Sequence, residues 1–106
     1  YLRERTDIPF EMQPPWVIAF PLVDTNNGSW AERLLNDIEL IAGPREKQGA
    51  WYGTNAASFA AAGVPSVVCG PGSIAQAHTS DEWIEIEQLK LASEIYYRFC
   101  LDHLDA

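Results

Sequence analysis

An α/β fold with a mostly parallel sheet is the architecture predicted for this 106-residue sequence, and three observations predict it. From Trp30 onward, segments of helical period and strand-like segments alternate in the order helix, strand, helix, strand, helix, the pattern of an α/β layer. The run Val64, Pro65, Ser66, Val67, Val68, Cys69 is short, β-branched and closed by Gly70, which reads as a buried strand. Two strands are too few for a stable sheet, and parallel strands are normally covered on both faces. The expected domain is therefore larger than this chain, with its remaining strands supplied from elsewhere.

Each element has its own signal. Residues 1–22 are irregular: Arg3, Glu4 and Arg5 are charged, Pro9 to Met12 alternate like a short strand, and Pro14 and Pro15 stop it. This stretch has the look of another unit's tail, and the apolar residues 16–20 are so bounded by prolines that their state stays open. Residues 23–29 form a turn-rich linker in which Ser29 is a suitable N-cap for a helix over 30–42. Trp30, Leu34, Ile38 and Ile41 recur at helical spacing, Leu35 and Leu40 widen the stripe, and Gly43 with Pro44 ends it.

Residues 50–53 are a candidate short strand, followed by a helix of small residues that Thr54 or Asn55 can cap and Gly63 stops. The strand into Cys69 comes next. From about Glu87 to Leu104 a last amphipathic helix turns Leu89, Ala92, Ile95, Tyr96, Phe99 and Cys100 to one side and Glu87, Lys90, Glu94 and Arg98 to solvent.

Composition narrows the function classes. Hydrophobic residues make up 47% of the chain, enough to predict a real core. Seven Lys and Arg against 15 Asp and Glu give a net charge of −8, which repels nucleic-acid backbones and anionic lipid headgroups alike. The longest apolar run, 16–23, is broken by Pro21 and falls far short of the roughly 20 residues that cross a bilayer. No basic segment followed by an apolar one suggests a secretory signal. Cys69 and Cys100 are isolated, so free buried thiols in a reducing cytoplasm are expected.

Residues 70–83, GPGSIAQAHTSDEW, carry the candidate site. A glycine loop leaving the end of a parallel strand opens into the crevice where α/β sheets bind ligands, and here it delivers one imidazole, His78. Gly70 and Gly72 permit close backbone approach, Pro71 stiffens the turn, and exposed N–H groups in such a turn can bind a carboxylate. An ordinary glycine-proline turn explains the same residues. Thr79 to Glu82 has capping-box spacing, although one of its carboxylates can instead fix the His78 tautomer. Gly53, Thr54 and Asn55 form a strand-to-helix turn whose donors would face the same crevice, or merely cap the helix. No CxxC or HxxxH pair supports a metal, and His103 with Asp105 reads as helix-end chemistry. Nucleophile-elbow, P-loop and dinucleotide motifs are absent.

With these residues placed, the chain resembles the C-terminal part of the M20 metallopeptidases, and within them the acetylornithine deacetylase group. The resemblance is strong over 52–83, through the GTN turn, the AGVP run, the GPGSIAQAH loop and the DEW exit, and looser from about Pro14 to Leu104. It implies part of a three-layer αβα zinc-peptidase-like catalytic domain. Residues 1–22 would end a lid and dimerisation domain and return from it, and residues 23–106 would form the C-terminal portion of the catalytic domain.

The chemistry implied is hydrolysis of the amide bond of an N-acyl amino acid by a metal-activated water, with two zinc ions per site, or cobalt, and a glutamate as general base. A place in arginine biosynthesis goes with it. His78 matches the family's metal ligand, while Gly53, Thr54, Asn55, Gly72 and Ser73 match positions that hold the substrate's carboxylate end. Asn55 stands where many members have Asp. The family's HxD motif, its Glu-Glu pair and its other ligands precede the matched segment, so the general base and the rest of the catalytic domain are expected from outside this chain. A homodimer is implied for the intact enzyme. A dipeptidase, a succinyl-diaminopimelate desuccinylase and a noncatalytic module with the same fold are the alternatives.

Overall fold

The computed structural model describes residues 4–15 and 19–103. The expectations for Arg3, residues 16–18, Leu104 and Asp105 lie outside them. Three α-helices organise the described chain: α1 over Gly28–Ala42, α2 over Ala56–Ala61 and α3 over Ile86–Asp102. A 3-10 turn, Asp24–Asn26, leads into α1. The helix begins two residues before the expected start, with Asn27 and not Ser29 at its N-cap, because the 3-10 turn closes on the Asn27 N–H and continues directly into the helix. At its other end Gly43, at φ +79°, donates its N–H to the Glu39 carbonyl. Only a residue without Cβ takes that conformation freely.

Among the described residues there is no β-strand, which overturns the predicted α/β fold with its mostly parallel sheet. Residues 10–14, 50–53 and 64–69 all lack regular secondary structure. The reason is physical: a strand exists through a ladder to a neighbour about 4.8 Å away, and apolar, β-branched composition supplies the side chains but not the neighbour. In 64–69 the Val64 N–H turns back to the Phe59 carbonyl, and two later groups are held by side chains: the Ser66 N–H by Asn27 Oδ1 and the Cys69 carbonyl by the Tyr96 hydroxyl.

The fold is held by α1 against α3. Leu34 of α1 and Ile95 of α3 are buried, Trp30 meets Phe99 edge-on at 5.9 Å between ring centroids, and Phe99 in turn meets His103 at 4.7 Å. The α1 stripe, expected to be a buried face, is buried at Leu34 alone: Trp30, Leu35, Ile38 and Ile41 are half-buried and Leu40 is exposed. On α3, Leu89, Tyr96 and Cys100 keep solvent contact. Arg98, expected to point to solvent, reaches back so that its Nε lies 3.2 Å from Asp37 Oδ1 and 3.2 Å from Asp102. The other Asp37 oxygen is buried without a hydrogen-bond donor, 3.5 Å from His103 Nε2. His103 thus sits at the end of α3 as expected, turned onto α1.

Two further expectations are corrected. Leu34, Ala57 and Ile95 are the buried hydrophobic residues among those described, so the large core foreseen from composition is not assembled. Cys69 and Cys100 are free as expected but exposed. Both corrections have the cause that removed the sheet: apolar faces without partners to cover them. Lys47 fastens the segment after α1 by pairing with Asp24 and Glu32 at 3.1 and 3.3 Å, and those bonds hold its ammonium above its ordinary range.

Candidate functional site

Residues 64–78 leave α2, cross beside α1 and α3, and end at His78. The departure is set by the end of α2, where the Gly63 N–H bonds the Ala60 carbonyl and the Val64 N–H bonds the Phe59 carbonyl. With Gly63 at φ +86°, these two bonds make a Schellman cap. Asn27 then seizes the segment: its Oδ1 accepts the Ser66 N–H at 2.7 Å while its Nδ2 donates to the Val23 carbonyl. Next, the Tyr96 hydroxyl donates to the Cys69 carbonyl at 2.8 Å. Desolvation raises the Cys69 thiol above its ordinary range. Desolvation, with a smaller contribution from Cys69, also raises the Tyr96 hydroxyl, so Tyr96 remains a donor at neutral pH.

At the glycine turn, the Gly72 N–H donates to Gln88 Oε1 at 2.6 Å. Gly72 has φ +88°, and a Cβ there would stand 3.5 Å from the Ile84 side chain. The donor expected to meet a substrate carboxylate is therefore engaged by a side-chain amide. Beyond it, overlapping turns over 73–77 use the Ser73 carbonyl for the Gln76 N–H and the Ser73 hydroxyl for the Ala75 N–H.

His78 is exposed and has φ +59°, the one positive φ outside glycine among the described residues. Histidine is among the few side chains enriched in that region. Its N–H donates to Glu82 Oε2 at 3.3 Å, and the Thr79 hydroxyl donates to the Gln76 carbonyl at 2.7 Å. Both competing roles weighed for 79–82 are thereby modified. No helix starts there for the capping box to cap, and Glu82 takes the His78 main-chain N–H, not the imidazole.

The Gly53–Asn55 turn acts as an N-terminal cap of α2, the Thr54 hydroxyl accepting the Ala56 N–H at 3.2 Å. A Cβ at Gly53 would meet nothing within 4 Å, so no packing contact calls for glycine there. Gly53, Thr54 and Gly72 share the wall of one open groove of about 1320 Å³, which Trp51, Val67 and Tyr96 also line. Asn55, Ser73 and His78 lie off that lining. The groove brings together half of the predicted site.

No three His, Cys, Asp or Glu side chains converge as a metal site among the described residues. Zinc takes about four ligands, or three and a water. His78 fits one of those places, and the described residues do not supply the others. Sequence reasoning missed the anchors Asn27, Gln88 and Tyr96. For the last two a signal existed: they stand two turns apart, with Ala92 between them, on one face of α3.

The sequence model described as Peptidase family M20/M25/M40 matches residues 9–102. A 39-residue stretch, 37% of this chain, is 49% identical to N-acetyl-L-citrulline deacetylase of Xanthomonas campestris pv. campestris. That stretch covers 11% of the deacetylase, so the chain matches a small part of its curated relative's length. No solved structure matches. No helix among the described residues is long and apolar enough to cross a membrane.

Proposed function

The chain belongs to Peptidase family M20/M25/M40, a family of hydrolases, and from that premise we propose that it is the C-terminal portion of a metal-dependent amidohydrolase acting on an N-acyl amino acid. Residues 23–106 serve as the last part of the catalytic domain, and residues 1–22 return from a lid and dimerisation domain. The rest of the catalytic domain is the partner that covers the apolar groove. The intact enzyme is a cytoplasmic homodimer with two zinc ions, or cobalt, in each site.

The observation that carries this reading is His78: an exposed imidazole at a left-handed backbone position, held through its N–H by Glu82 at the end of a loop within the family match. In such a site His78 holds metal, and zinc supplies Lewis-acid activation of water and of the scissile carbonyl. Gly53, Thr54 and Asn55 at the start of α2, and Ser73 in the glycine turn, hold the substrate's carboxylate end, while Gly72, its N–H taken by Gln88, shapes that turn. The general base and the remaining ligands come from outside this chain.

The partial likeness to an N-acetyl-L-citrulline deacetylase supports an N-acetyl amino acid of about ornithine's length as the substrate. Asn55, where many members have Asp, adds no negative charge beside the substrate's carboxylate end. In the intact enzyme, His78→Ala should abolish hydrolysis of N-acetylornithine and N-acetylcitrulline and lower bound zinc. Full activity and unchanged zinc stoichiometry in that variant would overturn the assignment. A panel adding N-succinyl-diaminopimelate and a dipeptide separates the deacetylase from its relatives, and inactivity on every member favours a noncatalytic module.

A further inference from the structure

We infer that Gln88, with Tyr96 two turns further along α3, is a positioning residue for the glycine loop, fixing the path from Cys69 to His78 against the helix. The inference deepens the hydrolase reading and rests on it for its functional consequence. Three observations carry it. The loop has no ladder to hold it, so its placement depends on side chains. Two of those side chains lie on one face of α3: Gln88 Oε1 accepts the Gly72 N–H at 2.6 Å, and the Tyr96 hydroxyl donates to the Cys69 carbonyl at 2.8 Å. The turn lies at ordinary contact distance from the same region, since a Cβ at Gly70 would lie 3.8 Å from the Tyr96 hydroxyl and one at Gly72 would lie 3.5 Å from Ile84, just before α3.

The arrangement divides labour within the loop. Helix α3 is the longest helix among the described residues, and a loop tied to it at residues 69 and 72 inherits its position. With its N–H engaged by Gln88, Gly72 serves the site through the orientation of the turn, and the remaining donors are left for a substrate carboxylate. Residues 73–78 then run from a fixed start to the His78 position that Glu82 holds.

The test uses the intact enzyme with three substitutions: Gln88→Met, which keeps length and loses the acceptor; Gln88→Glu, which keeps an acceptor; and Tyr96→Phe. A net hydrogen bond of ordinary strength corresponds to roughly threefold to tenfold in an equilibrium. Amide exchange over residues 70–78 should therefore speed up by about that factor in Gln88→Met and Tyr96→Phe. In Gln88→Met, kcat/KM for N-acetylornithine should fall about tenfold while the melting temperature stays within about 2 °C of the parent, since Gln88 is exposed. Gln88→Glu should recover most of both losses.

A fall in kcat/KM that Gln88→Glu does not recover overturns the hydrogen-bond account, and so does unchanged exchange in Gln88→Met. His78→Ala runs alongside as the separate check on the hydrolase reading. If that variant keeps its activity, the function assigned to the loop fails, while amide exchange still reports whether Gln88 holds it.

Discussion

Asn27 is the side chain on which the position of the whole segment first depends. It is 3% exposed, and its amide is used at both ends, by the Val23 carbonyl and by the Ser66 N–H. Removing it deletes two hydrogen bonds, to the Val23 carbonyl and from the half-buried Ser66 N–H, each worth about 0.5–1.5 kcal/mol. Asn27→Ala should therefore destabilise the intact protein by roughly 1–3 kcal/mol, read as a shift in its urea midpoint at constant slope. Asn27→Asp, which keeps the acceptor for Ser66 and loses the donor to Val23, should fall between. An Asn27→Ala midpoint equal to the parent's would show that the bridge carries no stability. Nothing in the local sequence announced this role, because Ser66 lies 39 positions away. Gln88 has a partner equally remote in sequence, 16 positions away at Gly72, and only its spacing to Tyr96 on one face of α3 hints at the role. His78 stood out because its signal is local: glycines and a proline placed immediately before an imidazole.

At the scale of elements, the same distinction between local and distant causes separates what the sequence predicted well from what it did not. The helices were legible because the cause of a helix lies within four residues of itself: the 3.6 period of Trp30, Leu34 and Ile38, and the glycines at 43 and 63, which both take positive φ. Residues 64–69 looked like a strand by the same local evidence. Pairing, however, belongs to two segments at once, and one of them cannot specify it. The site inherits this limit. The glycine turn and the N-terminal cap of α2 are visible in the sequence, but the crevice expected between them rests on a sheet that does not form among the described residues, and the groove observed instead is bounded by α1 and α3. The cap of α2 can be tested directly. Gly63 sits at φ +86° with open space where a Cβ would go, so backbone strain alone decides the substitution. Gly63→Ala should cost about 1–2 kcal/mol. Gly28→Ala, at the start of α1 and equally unobstructed, should be neutral or slightly stabilising. Equal effects from the two would remove the left-handed cap as the explanation of where α2 stops.

For the whole molecule, size and surface disagree with a self-sufficient domain. A folded monomer of 11.8 kDa exposes about 5,900 Å² by the usual scaling with mass, whereas this chain exposes 9116 Å². Its radius of gyration is 19.0 Å, against about 13 Å for a compact domain of this length. Much of the excess is apolar: Leu89, Val68 and Trp51 remain open to solvent, and one long groove runs between α1, α3 and the 66–72 segment. The net charge of −8 opposes further collapse without supplying a core. A chain with so few buried side chains gains too little from burial to offset its conformational entropy. Expressed by itself, the 106-residue chain should therefore bind a hydrophobic dye, melt without a cooperative transition and hydrolyse no N-acetyl amino acid. Its helices should persist in circular dichroism, because α1 and α3 carry their own periodicity and α1 ends on its own glycine cap. The decisive measurement pairs calorimetry with small-angle scattering on the purified chain. A sharp transition together with a radius near 13 Å would mean that the exposed apolar faces close on one another, and the groove would then need no covering partner. A broad transition with a radius near 19 Å would leave the groove open, as expected of a surface that another part of the enzyme covers.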